Sequence, residues 1–188
     1  MSKRYIICTD GSAISNNEGG FNSAAAYCIY DENLNILKRE SFYLEGKTNN
    51  YAEMYAIFRS AKYLMDTNIP DKVSQLLFVS DSKLSVSTLC EWFPQWFIKS
   101  EDEILINSTN KPVINQELIK STFISFLILN KEYDVKLLHM KSHQTKHTSM
   151  KELKTKSTNI SLDFMEYDVI FEGNDICDKL AKKELGIL

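Results

Sequence analysis

The sequence has no pair of cysteines at the spacing of a metal-binding or redox motif. Its four cysteines are scattered along the chain, as Cys8, Cys28, Cys90 and Cys177, and no C-x-x-C appears. Neither a disulfide framework nor a zinc site is therefore indicated. Free thiols are typical of proteins in a reducing compartment, and we expect a cytoplasmic location.

Long hydrophobic runs are also missing. Nowhere do about 20 apolar residues follow one another, so no membrane-spanning helix is predicted. The apolar run near the N-terminus is short and ends at Thr9-Asp10-Gly11, which does not match a signal peptide. From these absences we expect a protein that does not enter a membrane.

An excess of positive charge is absent as well. The formal net charge is −3, whereas a protein that grips nucleic acid by charge alone is usually basic. Composition therefore does not indicate a nucleic-acid partner, and any such partner has to be argued from local residues. Apolar residues make up 44% of the 188-residue chain, which is enough for the core of one domain. We predict a single domain over residues 1–188.

Short apolar runs bounded by turn residues predict an α/β fold, with a five-stranded mixed sheet flanked by helices. The predicted strands are 4–8, 21–30, 34–44, 73–79 and 135–140, of which the first three form an antiparallel meander. Two helices are predicted to begin at 48–50 and at 81–82. Two more are predicted over 116–129 and 174–185.

Residues 144–172 form an insertion before the last predicted helix. The first half is lysine-rich and loop-like, with Lys146, Lys151, Lys154 and Lys156. The second half has alternating apolar residues over 162–171, which are typical of a strand or a hairpin.

Four acidic residues occupy related places in this predicted fold. Asp10 ends the first strand and Asp81 ends the fourth, while Glu53 and Asp178 lie in the first turns of two helices. Chemistry in such sheets collects at the carboxyl ends of the strands and at the helix starts that face them. The sequence therefore predicts that the four carboxylates converge on one edge.

Each acid also has an ordinary structural explanation. Asp10-Gly11 is a turn signal, and Asn50-x-x-Glu53 matches a capping box. Asp81 before a helix is a good N-cap, and Asp178 would complement a helix dipole. Their conjunction points elsewhere, because clustered like charges need a cation or a shared proton. Oxygen ligands without His or Cys favour a hard ion such as Mg²⁺ or Mn²⁺.

The motifs around these acids resemble those of the type 1 ribonuclease H family, in the same order and the same structural context. They are Thr9-Asp10-Gly11-Ser12, Thr48-Asn49-Asn50-x-x-Glu53, Ser80-Asp81-Ser82 and Gly173-Asn174-x-x-Cys177-Asp178-x-Leu180-Ala181. Trp92-x-x-x-Trp96 and Lys111-Pro112-Val113-x-Asn115 are similar to the helical handle region of that family. The resemblance covers most of the chain and leaves 144–172 unmatched.

The resemblance implies a ribonuclease H fold and an endonuclease that hydrolyses the RNA strand of RNA–DNA hybrids. Asp10, Glu53, Asp81 and Asp178 would hold two Mg²⁺ ions, with Asp10 bridging both and Mn²⁺ able to substitute. Products would carry a 5′-phosphate and a 3′-hydroxyl. No Ser-His-Asp or Cys-His signature argues for a covalent route.

One histidine is assigned a role by the same resemblance. His143 matches the loop histidine of the family, which moves a proton or helps the product to leave, although Ser142 stands where the family usually has Gly. The pKa range of histidine suits that role. His139 and His147 are rivals, and a surface loop residue without a task is the plain alternative.

Four polar residues match family positions that contact the hybrid. They are Asn16, Asn50 and Asn174 near its backbone and Thr48 at a phosphate of the DNA strand. A hybrid is distinguished from a DNA duplex by its 2′-hydroxyls, which such side chains can read. The plain alternatives are a loop residue for Asn16, a cap for Asn50 and an N-cap for Asn174.

Two segments depart from the family. The handle of many relatives is basic, whereas residues 97–103 are acidic here, and this predicts weak binding through that element. The lysines of 144–172 would replace the missing charge or form a solvated loop, and the insertion could also contact a protein. The pair Trp92 and Trp96 is most simply core packing, with stacking against a DNA sugar as the alternative. We expect a monomer.

Two other functions stay open. One is another nuclease of the same architecture, either resolvase-like or derived from a reverse transcriptase, since a fold alone does not fix function. The other is a non-catalytic module that binds hybrids. Dependence of cleavage on a 2′-hydroxyl in the cut strand separates the first, and metal-dependent turnover excludes the second.

Overall fold

Five strands form one mixed sheet in the computed structural model, which describes residues 3–16, 19–100, 103–141 and 160–188. They are β1 (Lys3–Ser15), β2 (Phe21–Tyr30), β3 (Ile36–Leu44), β4 (Val73–Ser80) and β5 (Asp134–His139). The order is β3-β2-β1-β4-β5, with β1, β2 and β3 antiparallel and with β4 parallel to both β1 and β5. The predicted α/β class and five-stranded mixed sheet are confirmed.

Helices cover both faces of the sheet. They are α1 (Asn49–Met65), α2 (Lys83–Ser87), α3 (Phe93–Ile98), α4 (Gln116–Leu129) and α5 (Phe164–Glu184), with a π-helical turn at Thr88–Trp92 between α2 and α3. The segment from 83 to 98 is therefore a broken helix. None of the helices in the described part of the chain is long and apolar enough to cross a membrane.

The core consists of two layers because side chains of a strand alternate between its faces. Ile7, Ile29 and Phe78 point into the layer beneath α1 and α4. Their neighbours Ile6 and Leu77 point into the layer beneath α5. Both faces of β1, β2 and β4 are buried, which explains why these strands appear in the sequence as continuous apolar runs.

The last helix is longer than the sequence predicts. It begins at Phe164, so the strand or hairpin predicted for 162–171 is wrong, and so is the predicted start at 174. A capping box starts the helix: Glu166 N donates to Asp163 Oδ1 at 2.9 Å and Asp163 N donates to Glu166 Oε2 at 2.9 Å. Tyr167, Ile170 and Cys177 then follow a helical spacing against the sheet.

Gly173 lies inside α5 and does not mark its beginning. A Cβ at this position would lie 2.5 Å from Cys8 Sγ and 3.0 Å from Tyr30 Cε2, so a larger residue would push the helix off the sheet. The glycine is thus needed for close packing of α5 on β1 and β2. In the sequence the same glycine looks like a helix boundary, which explains the wrong start.

Candidate active site

Asp10 lies in the middle of the sheet. The sequence places it at the end of the first strand, whereas β1 continues to Ser15, paired with β2 alone beyond Thr9. Thr9 is the last residue of β1 that pairs with β4, opposite Ser80. The predicted end of the strand at Asp10 is therefore wrong, and Asp10 and Asp81 each lie one residue beyond the last pair of β1 with β4. The Asp10 side chain is 5% exposed, and Gly11 N donates to its Oδ1 at 2.7 Å.

Gly11 allows α1 to approach β1 beside that aspartate. A Cβ on Gly11 would lie 2.5 Å from the backbone nitrogen of Glu53 and 2.8 Å from its Cγ. A side chain here would collide with backbone, which cannot move aside without displacing the helix. The glycine thus sets the distance between the Glu53 and Asp10 backbones.

Glu53 lies one turn into α1. The helix is capped by Thr48, whose Oγ1 accepts from Tyr51 N at 3.3 Å, so the capping-box explanation of Asn50 and Glu53 is wrong. Asn49 Nδ2 instead donates to Glu53 Oε1 at 2.7 Å. Burial raises the pKa of Glu53 and the charge of Asp81 raises it further, while hydrogen bonds from Ser82 and Asn49 lower it.

Asp81 follows β4 directly, and the cap of the next helix is Ser82, which accepts from Ser85 N at 3.2 Å. The alternative role of Asp81 as a helix N-cap is therefore wrong. Its backbone oxygen lies 3.1 Å from His139 Nε2 on β5. This contact holds the His139 ring against the backbone at the edge of the sheet.

Asp178 lies well inside α5, of which it is the fifteenth residue when Phe164 is counted as the first. It is too far from the helix start to complement the dipole there, so that alternative is wrong. Lys182 Nζ donates to Asp178 Oδ2 at 2.8 Å. The preceding residue, Cys177, donates from Sγ to the Cys8 backbone oxygen at 3.2 Å, and this fixes α5 on β1 two residues from Asp10.

The four carboxylates act on one another electrostatically. Burial and then the charge of Asp81 raise the pKa of Asp10 to about 9; the Gly11 hydrogen bond opposes this shift, and the charges of Asp178 and Glu53 add to it. All four predicted acids thus contribute to one field. An unfavourable field of this kind is what a bound cation relieves.

The donor set fits a hard divalent ion, because every predicted ligand is a carboxylate oxygen. Within the described residues, however, no three His, Cys, Asp or Glu side chains are arranged to hold one ion. Glu53 is turned towards Asn49 and Asp178 towards Lys182. In this arrangement one oxygen of each of these two carboxylates accepts a hydrogen bond from a neighbouring side chain.

His143, the histidine assigned by resemblance, lies outside the described residues, as do its rival His147 and the lysines of the insertion. His139 is described, and its contact with the backbone of Asp81 is structural. The roles predicted for His143 and for residues 144–159 therefore stay predictions.

The predicted substrate contacts take different places. Thr48 and Asn50 are exposed at the start of α1, on the same side as Asp10. Asn16 closes a loop, since its Oδ1 accepts from Gly20 N at 2.7 Å. Asn174 is a half-exposed residue inside α5, so the N-cap alternative for it is wrong.

An apolar cavity of about 470 Å³ lies beside the carboxylates. Thr48 and Asn50 form one end, and Trp92, Trp96 and Lys111 line it further along. The two indole rings are 5.8 Å apart. Trp96 also packs on the core, whereas Trp92 is not part of it, so core packing explains one of the pair and cavity lining describes both.

Several residues of this region have no clear signal in the sequence. Asn49 and Ser82 hold Glu53, and Lys182 holds Asp178. The spacing of Asp178 and Lys182 is that of a helical ion pair, which is the one hint the sequence offers. Asn107 enters the cavity wall from a loop, which no periodicity predicts.

Comparison with known proteins gives consistent matches. A family model described as RNase H matches residues 2–185. The Ribonuclease H of Schizosaccharomyces pombe is 29% identical over 147 residues, which cover 77% of this chain and 48% of that protein. The chain thus spans about half the length of this relative.

Two solved structures share the fold. The solution structure of the PFV RNase H domain has a TM-score of 0.68 and 23% identity, covering 98% of this chain and 95% of that one. LC11-RNase H1, solved in complex with RNA/DNA hybrid, has a TM-score of 0.54 and 21% identity, covering 95% and 94%. At these identities the structures support the fold alone.

Proposed function

Since the chain belongs to the RNase H family, we propose that it is an endoribonuclease that hydrolyses the RNA strand of RNA–DNA hybrids. Catalysis would use two divalent ions, Mg²⁺ by preference with Mn²⁺ as a substitute, and would leave a 5′-phosphate and a 3′-hydroxyl. The observation that carries the proposal is the shared field at Asp10, to which Asp81, Asp178 and Glu53 all contribute.

The four acids would act as ligands from the sheet and from two helices. Asp10 is buried on the central strand and Asp81 follows the neighbouring one, so the sheet fixes the backbone positions of these two ligands. Glu53 and Asp178 would be ligands from helices, and each would exchange a hydrogen bond within the protein for an ion. When bound, a pair of divalent ions supplies activation of the attacking water and stabilisation of the leaving oxygen.

The remaining chemistry needs a group that carries protons. We assign it to His143, because it matches the family's loop histidine and because histidine as a residue type can exchange protons near neutral pH. His139 is less suited, because its ring is held against the backbone of Asp81 at the edge of the sheet.

Substrate recognition would follow the surface from the loop of Asn16, past the start of α1, to the cavity lined by the tryptophans. The Thr48 oxygen accepts a hydrogen bond from Tyr51 N, which leaves its hydroxyl proton available for a phosphate of the DNA strand. Asn50 and Asn174 can both donate and accept, as reading of a 2′-hydroxyl requires. LC11-RNase H1, solved with such a hybrid, is a precedent for this class of ligand.

A second function deserves a test because of one structural match. The foamy viral protease-reverse transcriptase matches 96% of this chain over 20% of its own length, and so a ribonuclease H domain derived from a reverse transcriptase is the second candidate. That reading changes the partner and leaves the chemistry the same. A monomeric state, a cytoplasmic location, one domain and a contact through 144–172 are further parts of our proposal.

The experiment compares end-labelled RNA–DNA hybrid with matched RNA–RNA and DNA–DNA duplexes in Mg²⁺. We expect cleavage of the RNA strand of the hybrid alone, and no cleavage at a position where a single 2′-hydroxyl is replaced by hydrogen. The matched variants are Asp178→Ala and Asp175→Ala, on the same helix. Asp175 is exposed and bonded to Lys179, so its loss should leave the rate unchanged.

Two results contradict the proposal. Cleavage of DNA–DNA at a comparable rate would favour a resolvase-like nuclease. Binding of hybrid without cleavage in either Mg²⁺ or Mn²⁺ would favour the non-catalytic module.

A further inference from the structure

A basic side chain lies directly on one of the four site carboxylates. Lys182 Nζ is 2.8 Å from Asp178 Oδ2, one helical turn further along α5. The pair is partly buried, with 32% of the lysine side chain and 28% of the aspartate side chain exposed. Lys182 also interacts with the charge of Asp10, so the ammonium belongs to the same field as the carboxylates.

We propose that Lys182 is an internal counter-ion that occupies Asp178 in the ion-free protein and that a divalent ion has to displace. This inference rests on the proposed function, and it concerns what sets the metal concentration at which the enzyme is active. An ammonium hydrogen bond and a metal bond compete for the same carboxylate oxygen.

Repulsion between the carboxylates is the reason for this competition. Buried carboxylates at one edge repel each other, and each cation nearby relieves part of the repulsion. In the ion-free protein Lys182 supplies one positive charge at Asp178 Oδ2. A divalent ion at Asp178 removes the need for that charge and repels it.

A neighbouring ion pair provides the matched comparison. Lys179 and Asp175 have the same i,i+4 spacing on the same helix, at 2.6 Å, with exposed fractions of 58% and 52%. This pair therefore shares the helix context and the chemistry of Lys182 and Asp178. It differs in lying in solvent, where such a pair contributes little.

The test uses Lys182→Met, which keeps the apolar stem and removes the charge, beside Lys179→Met. The affinity for Mn²⁺ is measured by titration calorimetry, and the melting temperature is measured in EDTA and in saturating Mn²⁺. We expect the Kd of Lys182→Met to be about three- to tenfold lower than that of the unchanged protein. The rise in melting temperature on adding Mn²⁺ should also be larger, and Lys179→Met should match the unchanged protein in both readouts.

Lys182→Arg serves as the conservative variant and should keep the Kd within about twofold, since the positive charge is retained. An unchanged Kd in Lys182→Met would overturn the inference alone. A higher Kd would overturn it too, and would mean that Lys182 orients Asp178 for the ion. The proposed function itself fails if the unchanged protein does not bind Mn²⁺, or if Asp10→Asn binds Mn²⁺ as the unchanged protein does.

Discussion

The carboxylate edge and the tryptophan-lined cavity lie side by side and are built in different ways. Asp10 and Asp81 come from the two central strands, and Glu53 and Asp178 come from helices of 17 and 21 residues. The cavity wall comes from a broken helix, with pieces of five and six residues on either side of a π-helical turn, and from loops around Lys111.

The difference matches what each region has to do. Ligands of a catalytic ion must hold their positions closely, and a buried strand with a glycine contact behind it gives that precision. A binding wall has to supply area and can tolerate adjustment. Phe97 and Ile98, at the end of α3, are 65% and 84% exposed. Variants that change one region at a time should therefore have separable effects.

Gly11→Ala should cause the largest loss, because the added Cβ collides with the backbone of Glu53. We expect cleavage to fall about 100-fold, since small misplacements of catalytic groups are that costly, and stability to fall by about 1–3 kcal/mol. Both are measured, by single-turnover cleavage and by chemical denaturation.

Gly46→Ala is the control for the loss of stability. Gly46 has φ of +66° and open space around its Cβ position, so an alanine there is strained without touching the site. We expect about 1–2 kcal/mol of destabilisation with unchanged cleavage. Equal loss of activity in both variants would show that stability, and not the carboxylate geometry, is the cause.

Trp92→Ala should weaken binding without slowing chemistry. The ring lines the cavity and lies outside the core clusters, so its removal costs contact area with the substrate. We expect KM for the hybrid to rise about tenfold at unchanged kcat. Phe97→Ala is the neighbouring control, because Phe97 is exposed and does not line the cavity. A fall in kcat would contradict the separation of the two regions.

The ion-free protein should lose stability as pH rises. The pKa of Asp10 is raised from an ordinary value of 3.8 to about 9, so the folded state keeps a proton that the unfolded chain releases. This contribution is complete below 3.8 and is lost as pH rises towards 9. The melting temperature in EDTA should therefore fall from pH 5 to pH 8.

The same measurement on Asp10→Asn isolates the group responsible. The neutral amide has no proton to lose, so the slope should be smaller and the variant more stable at pH 8. Equal slopes in the two proteins would show that the charge of Asp10 is relieved in some other way.

Much of the fold could be predicted from the sequence because strands that are buried on both faces appear in it as continuous apolar runs. β2 and α4 were predicted with the bounds that the structure has. The start of α5 was not, since Gly173 and the alternation over 162–171 imitate a boundary and a strand. The real reason for the glycine is close packing on Cys8, which involves residues far apart in sequence.

The candidate site divides in a similar way. Its acids could be picked out because each lies within a recognisable motif, although β1 continues past Asp10 to Ser15. The hydrogen-bond partners of Glu53 and Asp178 could not, because they depend on side-chain conformations. The cavity is a property of tertiary structure, assembled from α1, the broken helix and loops.

Single-turnover cleavage of the hybrid by Asp10→Asn in Mg²⁺ tests the central claim most directly. The charges of the other three acids raise the pKa of Asp10, so the neutral variant should fold at least as well without ions. If the four carboxylates form one catalytic centre, the rate should fall by at least about 100-fold at equal stability. Cleavage within a few-fold of the unchanged protein would contradict the account and place the chemistry elsewhere.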